Sequence, residues 1–308
     1  MIQNVDDQIS AIAGAHLGKA GDGTAVKPYV TPDSVDSALL VGIPRYLNRT
    51  QYGIKDERLD FVGGEIWNCY EVSFLLSNGM PVSGAVKLYY SAYSPKIVES
   101  KSLKLYLNSF NMERCNTVNR VSATEEVLAR IRKDLSELLC TEVTADFHSG
   151  SAQCPVVGNG FERLEDTVDF ATMQFSEYKE SPDILVPNDV PVIQVQSSLL
   201  RSNCRVTNQP DWGDVFIYMT GAATPTKESL LRYIISMRKE NHFHEEIAEC
   251  IFQRLYDKFK PEELAVACYY TRRGGIDINP VRSTSMSLAN KLFGDYLSIY
   301  TIYKTLRQ

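Results

Sequence analysis

The sequence lacks the features that would mark a membrane-spanning, secreted or nucleic-acid-binding protein. No apolar run reaches the ~18 residues that a membrane-spanning helix needs, so we expect no membrane partner. Acidic residues outnumber basic ones, 38 to 32, and the net charge of −6 argues against general binding to nucleic acid. The polar, acidic start, Met1 to Asp7, does not resemble a secretory signal.

Cysteine pairs and glycine-rich nucleotide motifs are also missing. The seven cysteines form no C-x-x-C pair and their number is odd, which argues against a disulfide framework or a zinc knuckle and fits a reducing cytoplasm. No G-x-G-x-x-G segment follows a strand-like run, so a Rossmann site is not indicated. His242 and His244 have no third His or Cys nearby in the sequence, so we expect no metal.

The remaining composition is that of a globular protein of about two domains, with 308 residues of which 44% are hydrophobic. Residues 1–60 have weak periodicity and predict an irregular arm. A polar, proline-bearing stretch near residue 180 predicts a boundary between a first domain, 1–180, and a second, 181–308.

Both halves predict two strands, then two helices, then further strand. An Asn-Gly pair joins the first two strands as a hairpin, and Ser122 to Glu125 predicts a capping box for the second helix. The predicted strands cover 66–76, 82–90, 141–148, 192–200, 214–219 and 264–271, and the helices start near Leu103, Ser122, Thr226 and Phe243. Four identities at an offset of 127 support a duplication: Ser102, Leu103, Tyr106 and Ser109 match Ser229, Leu230, Tyr233 and Ser236.

Cys204 lies in a polar connection between two predicted strands, between Arg201 and Arg205. Nearby cations lower the pKa of a thiol and increase its thiolate fraction, as a nucleophile requires. Asp211 follows in the same predicted loop and could move protons. The alternative is a buried cysteine and a turn aspartate, and the spacing alone favours that alternative.

Three further segments could bind a ligand. Glu245 opens a helix, where it could serve the helix dipole or accept two hydrogen bonds from a guanine-like edge. Lys101 and Lys104 near a helix start suit phosphate oxygens, although a solvated helix face would look the same. Arg272 to Gly275 could clamp a phosphate at a strand end or form a plain tight turn.

Together, these segments resemble the NADPH-dependent 7-cyano-7-deazaguanine reductases, the nitrile reductases of queuosine biosynthesis, in their long two-module form. The similarity extends from Leu47 to Arg282, and the tail after Arg282 is longer than the resemblance implies. The four segments that carry it are Glu99 to Tyr106 (ESKSLKLY), Ser202 to Gly213 (ending QPDWG), Phe243 to Glu245 (FHE) and Arg272 to Gly275 (RRGG).

The resemblance implies an α+β protein of tandem tunnelling-fold modules. Each module would follow the order ββααββ, with an antiparallel sheet and helices on one face, and oligomerisation would complete a barrel. It also implies a cytoplasmic enzyme that is a homodimer and takes 7-cyano-7-deazaguanine as substrate.

The resemblance further implies the chemistry and the residues. Cys204 would attack the nitrile to form a thioimide, Asp211 would act as general acid and base, and His244 would assist. NADPH would be the reductant. The implied substrate-binding residues are Val98, Glu99, Ser100, His244 and Glu245, and the implied cofactor-binding residues are Ser100, Lys101, Arg273 and Gly274.

Two other classes of function remain as alternatives. A related tunnelling-fold amidinotransferase would keep the thioimide cysteine without a nicotinamide, but the intact Glu99 to Tyr106 segment argues against it. A purine- or pterin-binding module without catalysis would need neither Cys204 nor Asp211. An NADPH-oxidation assay separates the first alternative, and a test for a covalent adduct separates the second.

Overall fold

The computed structural model describes residues 32, 34–149, 158, 160–169 and 172–308. Most of the predicted N-terminal arm, 1–31 and residue 33, and Cys154 lie outside these residues. Within the described part of the arm, residues Gly42–Pro44 form a short strand and Tyr46–Arg49 a helical turn. No helix in the described part of the chain is long and apolar enough to cross a bilayer.

The protein is mixed α+β. The strands are β1 (Gly42–Pro44), β2 (Val62–Leu75), β3 (Pro81–Ser91), β4 (Lys96–Val98), β5 (Val143–His148), β6 (Glu162–Arg163), β7 (Pro187–Asn188), β8 (Val192–Asn203), β9 (Pro210–Thr220), β10 (Thr224–Pro225), β11 (Glu263–Tyr270) and β12 (Ile276–Ser283). The α-helices are α1 (Tyr46–Arg49), α2 (Ser100–Asn108), α3 (Arg120–Leu139), α4 (Lys227–Ser236), α5 (His244–Phe259) and α6 (Met286–Leu297).

The chain forms two compact units. The described residues of unit 1 fall within 1–48, 67–153 and 273–276, and those of unit 2 within 49–66, 154–272 and 277–308. In unit 1, the strands lie in the order β5-β3-β2. The β2–β3 turn is the predicted Asn-Gly hairpin, in which Gly79 has a φ of +88° and donates its N–H to the Leu76 carbonyl at 2.8 Å.

Leu103, Tyr106, Leu107 and Phe110 recur at helical spacing in the sequence, which predicts one buried face, and helix α2 buries the first three of them. The start of α3 differs from the expectation, because Ser122 and Glu125 do not form its cap. Asn119 caps the helix instead, with its side-chain oxygen accepting the N–H groups of Val121 at 3.0 Å and Ser122 at 3.1 Å. The carboxamide thus performs the function expected of the Ser122 hydroxyl, three residues earlier in the chain.

In unit 2, the strands lie in the order β12-β11-β9-β8-β6. Neighbouring strands among β8, β9, β11 and β12 pair antiparallel, but the short β6 runs parallel to β8, which makes the sheet mixed. Helix α6 belongs to the tail, and its Tyr296 contacts Tyr269 of β11. Tyr270, the next residue, contacts α5 from the opposite face of the strand. The tail therefore adds a helix on the face of the sheet opposite to α5.

Helices α2 and α4 share the hydrogen bonds made by the serines that match at the offset of 127. The hydroxyl of Ser102 accepts the N–H of Val41 at 3.0 Å, and that of Ser229 accepts the N–H of Val186 at 3.0 Å. At the helix ends, the hydroxyls of Ser109 and Ser236 donate to the carbonyls three residues earlier at 2.6 and 2.7 Å. The matched serines therefore make the same hydrogen bonds in both units.

Candidate active site

Cys204 lies at the turn of the β8–β9 hairpin, as the sequence predicted. Its N–H donates to the Gln209 carbonyl at 2.8 Å, and its carbonyl accepts the Asn208 N–H at 2.9 Å. Asn208 takes the left-handed conformation, with φ +55°, which asparagine tolerates better than most residues. The hairpin therefore presents a partly exposed thiol.

The two arginines beside Cys204 in sequence are engaged with other groups. Arg205 is buried and places Nη1 2.9 Å from the carboxylate of Glu246. Arg201 donates to the carbonyl of Arg238, and its guanidinium lies 5.9 Å from the centre of the Trp212 ring. Their positive charges therefore have other partners, and the proximity in sequence is not by itself a reason for an activated thiol.

Asp211 is a strand residue, and the expectation that it lies in the Cys204 loop is wrong. It is the second residue of β9, opposite Ser202, and its side chain is buried. The strand extends further toward the turn than predicted, because backbone pairing continues to Asn203 and Pro210. The Asp211 carboxylate therefore lies on a strand, one residue pair before the β8–β9 pairing ends at the turn.

His244, which is partly buried, pairs with the buried Asp211 in unit 2. The Nε2 atom of His244 lies 3.3 Å from Oδ2 of Asp211. The imidazole also stacks on Tyr270, with ring centroids 3.8 Å apart and planes 6° apart. Burial, followed by the nearby Cys268 and Asp211, raises the pKa of Tyr270 well above its usual range, so its ring is neutral.

Glu245 lies in the first turn of α5 and is only 2% exposed. A carboxylate that only serves a helix dipole has no need to be buried, and Glu228, in the first turn of α4, is exposed. Burying a carboxylate is costly unless hydrogen-bond donors satisfy it. The burial therefore sets Glu245 apart from the exposed Glu228 at the corresponding place in α4.

Among the cysteines within the described residues, Cys204 and Cys140 are the two that are not buried. Burial, with smaller contributions from Glu126 and Glu113, raises the pKa of Cys115 to about 11. Burial also raises the pKa values of Cys250 and Cys268. No cluster of His, Cys, Asp and Glu suited to a metal occurs within the described residues, which include His242 and His244.

The residues of the first segment lie together in unit 1. Val98 ends β4, and Glu99 caps α2 by accepting the N–H groups of Lys101 at 2.9 Å and Ser102 at 2.7 Å. Burial raises the pKa of Glu99, although these backbone hydrogen bonds oppose the shift. Ser100 and Lys101 are exposed at the helix start.

Arg273 and Gly274 lie in a tight turn, also in unit 1. Gly274 and Gly275 have φ values of +57° and +80°, and Arg273 exchanges backbone hydrogen bonds with Ile276 at 2.9 and 3.1 Å. Glycine at both positions suits this two-residue turn. A Cβ on Gly274 would lie 3.4 Å from Cδ of Lys104. The turn therefore packs beside α2, one helical turn after Lys101.

Lys104 pairs with Glu71 at 3.0 Å. Its charge is thus partly compensated, whereas Lys101 at the helix start is exposed. The structure therefore separates two lysines that the sequence treated alike.

Comparisons with known proteins match the chain on both sides of the Cys204 loop. A family model described as "Nitrile reductase, 7-cyano-7-deazaguanine-reductase N-term" matches residues 31–147, and one described as "QueF-like protein" matches 210–287. A curated protein from Dechloromonas aromatica, named NADPH-dependent 7-cyano-7-deazaguanine reductase, is 39% identical over 273 residues, 88% of this chain and 91% of that protein. The chain belongs to the NADPH-dependent 7-cyano-7-deazaguanine reductase family.

Further members of this reductase family match equally well. Proteins of the same name from Albidiferax ferrireducens and Coxiella burnetii are each 39% identical, covering 82% and 84% of this chain and 90% of each relative. A solved structure, the apo form of the archaeosine synthase QueF-Like, covers 31% of this chain and 95% of its own at 16% identity, with a TM-score of 0.29. The family resemblance drawn from the four sequence segments is confirmed by the curated relatives.

Sequence reasoning missed two neighbours of the candidate site residues, Tyr270 and Glu246. Tyr270 supports His244 by stacking, and Glu246 binds Arg205 and His242. The spacing of His242 and Glu246, four residues apart across a helix start, was the available signal. The sequence had considered His242 only as a metal ligand.

Proposed function

We propose that this chain reduces the nitrile of 7-cyano-7-deazaguanine to 7-aminomethyl-7-deazaguanine, with NADPH as reductant, through a thioimide on Cys204. The reaction belongs to queuosine biosynthesis. The observation that carries the proposal is the Asp211–His244 pair, 3.3 Å apart, in which Asp211 lies on the strand that follows the Cys204 turn and His244 begins α5. A thiol nucleophile and a proton-transfer pair are the groups that nitrile activation requires.

The first step joins Cys204 to the substrate. The Sγ thiolate attacks the nitrile carbon and forms a C–S bond, while one electron pair of the triple bond moves to nitrogen. Asp211, in its protonated form, donates a proton to that nitrogen. His244 places its Nε2 against Asp211, and Tyr270 holds its ring by stacking. It either returns a proton to Asp211 or orients the Asp211 carboxyl group.

The later steps return the thiol. NADPH, when bound, would supply one hydride per molecule, so two NADPH are consumed per nitrile. After the first reduction the carbon is a hemithioaminal, and the C–S bond breaks with its electrons on sulfur, which frees Cys204 and leaves an imine. The Asp211–His244 pair delivers the second proton as the imine becomes the amine. Two hydrides and two protons account for the four hydrogens gained.

We assign substrate recognition to Val98, Glu99, Ser100, His244 and Glu245. The buried carboxylate of Glu245 accepts hydrogen bonds from the N–H edge of the deazaguanine. Both carboxylate oxygens of Glu99 accept hydrogen bonds from backbone N–H groups. Each of these oxygens can accept a second hydrogen bond. The cap thus leaves Glu99 able to bind a donor.

We assign the NADPH phosphates to Ser100, Lys101, Arg273 and Gly274. These residues suit the phosphates by their charge and their accessible backbone. Lys101 is exposed at the start of α2, and the glycine turn after Arg273 packs beside the same helix. Cations and an accessible backbone are what a dinucleotide phosphate needs.

We further propose that the boundary between the modules lies near residue 180 and that the modules follow the tunnelling fold. Their sheets would join into a barrel in a homodimer. Support comes from the family membership and from the duplicated helix starts. Sedimentation equilibrium tests the assembly, and a monomer at micromolar concentration would contradict it.

The covalent step is tested without NADPH. Wild-type protein mixed with 7-cyano-7-deazaguanine should gain one substrate mass per chain, mapped to Cys204 by peptide analysis. Cys140, the other exposed thiol within the described residues, is the internal control and should stay unmodified. Cys204→Ala should bind substrate without adduct and without turnover. Full turnover by Cys204→Ala would overturn the mechanism.

A further inference from the structure

His242 lies in a buried polar cluster of unit 2 beside the Cys204 hairpin. Its side chain is 7% exposed, and its Nδ1 lies 3.0 Å from Oε2 of Glu246. Its Nε2 lies 2.7 Å from the Tyr52 hydroxyl and 3.2 Å from Oε2 of Glu240. Both ring nitrogens therefore contact buried or partly buried polar groups.

Glu246 connects His242 to the hairpin. The same oxygen that contacts His242 lies 2.9 Å from Nη1 of Arg205, the residue after Cys204. It also accepts the N–H of Phe243 at 3.2 Å, just before the catalytic His244. One carboxylate oxygen thus joins the nucleophile's loop to the start of α5.

Backbone hydrogen bonds reinforce the same junction. The N–H of Asn203 donates to the Glu240 carbonyl at 2.8 Å, and the N–H of His242 donates to the Asn203 carbonyl at 3.1 Å. The segment before α5 therefore pairs with the last residue of β8. The side-chain cluster adds orientation to a junction that the backbone already forms.

The charges in this cluster favour a protonated His242. Burial alone would lower its pKa, but the hydrogen bonds to Glu240 and Glu246 outweigh burial and raise the pKa to about 9. As a cation, His242 donates from both ring nitrogens, and it shares Glu246 with the guanidinium of Arg205. Two cations then fix one carboxylate from two sides.

We propose that His242 is a positioning residue that, through Glu246 and Arg205, sets the orientation of the Cys204 hairpin relative to His244 and Glu245. The proposal rests on the function proposed above for Cys204. It assigns to His242 no contact with substrate or cofactor. Its role is to hold Cys204 at a fixed position relative to the Asp211–His244 pair.

Two substitutions of His242 separate the contacts of its Nδ1 from those of its Nε2. In His242→Asn, the amide nitrogen takes the place of Nδ1 and keeps the hydrogen bond to Glu246. In His242→Gln, the longer amide takes the place of Nε2 and keeps the Glu240 and Tyr52 side. Gln253→Met is the control, because Gln253 is buried on the same helix and contacts Asp60 and Asp257.

The readout is the rate of adduct formation on Cys204 with 7-cyano-7-deazaguanine and no NADPH. We expect His242→Asn to stay within about threefold of wild type and His242→Gln to fall about tenfold or more, since small displacements of reacting groups cost up to about a hundredfold. Gln253→Met should keep the wild-type rate, and the KM for NADPH should not change in any variant. Thermal melting checks that each variant is folded.

Equal rates in His242→Asn and His242→Gln, whether fast or slow, would overturn the positioning role. A slow rate in Gln253→Met as well would show general destabilisation and would overturn it too. If wild type forms no adduct, the proposed covalent function fails instead. The rate of Cys204 alkylation by iodoacetamide relative to Cys140 then tests the hairpin geometry by itself, with the same ranking expected.

Discussion

The imidazole of His244 lies flat against the ring of Tyr270, 3.8 Å between centroids, while its Nε2 points to Asp211. A ring held on one face and at one nitrogen has little freedom to turn. Tyr270 is completely buried at the end of β11, so the support comes from the sheet itself. Strand β11 therefore fixes the orientation of His244 toward Asp211.

Removing this support should slow catalysis more than it weakens binding. We expect Tyr270→Leu to lower kcat about tenfold or more, because His244 loses its stacking partner, with a smaller change in the substrate KM. Tyr270→Phe keeps the ring and is the matched control. The measurement is NADPH oxidation under saturating substrate. Equal kcat values for the Leu and Phe variants would show that stacking has no catalytic role.

Loss of one cation in the glycine turn should affect NADPH alone. Arg273→Ala should raise the KM for NADPH about ten- to a hundredfold, the usual effect of losing a charge-assisted contact of ~1.5–3 kcal/mol. Nitrile binding should be almost unchanged. Arg272→Ala, an exposed neighbour, is the control. If both affinities fell together in Arg273→Ala, the arginine would be structural.

Glu245 should discriminate the guanine-like edge of the substrate. Glu245→Gln replaces an acceptor by a donor that faces donors, so substrate binding measured by calorimetry should weaken sharply. An analogue without the exocyclic amine should distinguish less between wild type and variant. Glu228→Gln, at the exposed first turn of α4, controls for the helix dipole. Normal substrate binding by Glu245→Gln would leave Glu245 as a helix-start carboxylate only.

Stability should depend on pH through His242. Folding raises the pKa of His242 to about 9 from an ordinary ~6.5, so its contribution is complete below pH ~6.5 and is lost as the pH rises through 9. The groups facing it are Tyr52, Glu240, Glu246 and Arg205.

Urea unfolding at pH 7 and 9.5 measures this contribution. Wild type should lose more stability across that range than His242→Asn, by no more than about 3 kcal/mol. Subtracting the change in the variant from the change in wild type cancels the contributions of the other titrating groups to the free energy of unfolding. A parallel loss in both would assign the pH dependence to groups other than His242.

Local signals made much of this molecule predictable. The Asn-Gly pair fixed the β2–β3 turn, and the spacing of Leu103, Tyr106 and Leu107 predicted the buried face of α2. The Cys204 turn was predicted because polar residues separate two strand-like runs. Each of these features depends on residues close in sequence, where propensity and periodicity act directly.

Features that depend on distant partners were not predictable. Asp211 was taken for a loop residue because its strand character comes from pairing with Ser202. Arg205 was taken as a neighbour of the thiol, although its partner is Glu246, 41 residues later. The position of the tail was likewise not predictable, because it depends on a distant contact: Nη2 of Arg307 lies 2.9 Å from Oδ1 of Asp214 in β9. Single-sequence patterns carry no information on such pairings.

The matched helix starts leave one position free to differ between the two units. Ser102 and Ser229 keep the same backbone contacts, while the capping residue three positions earlier is Glu99 in one copy and Thr226 in the other. Either side chain satisfies the helix N–H groups, so this position can carry a carboxylate or a hydroxyl without disturbing the serine contacts beside it. The cap is therefore the place at which the two helix starts differ in charge, since Glu99 brings a carboxylate to unit 1 and Thr226 leaves unit 2 without one.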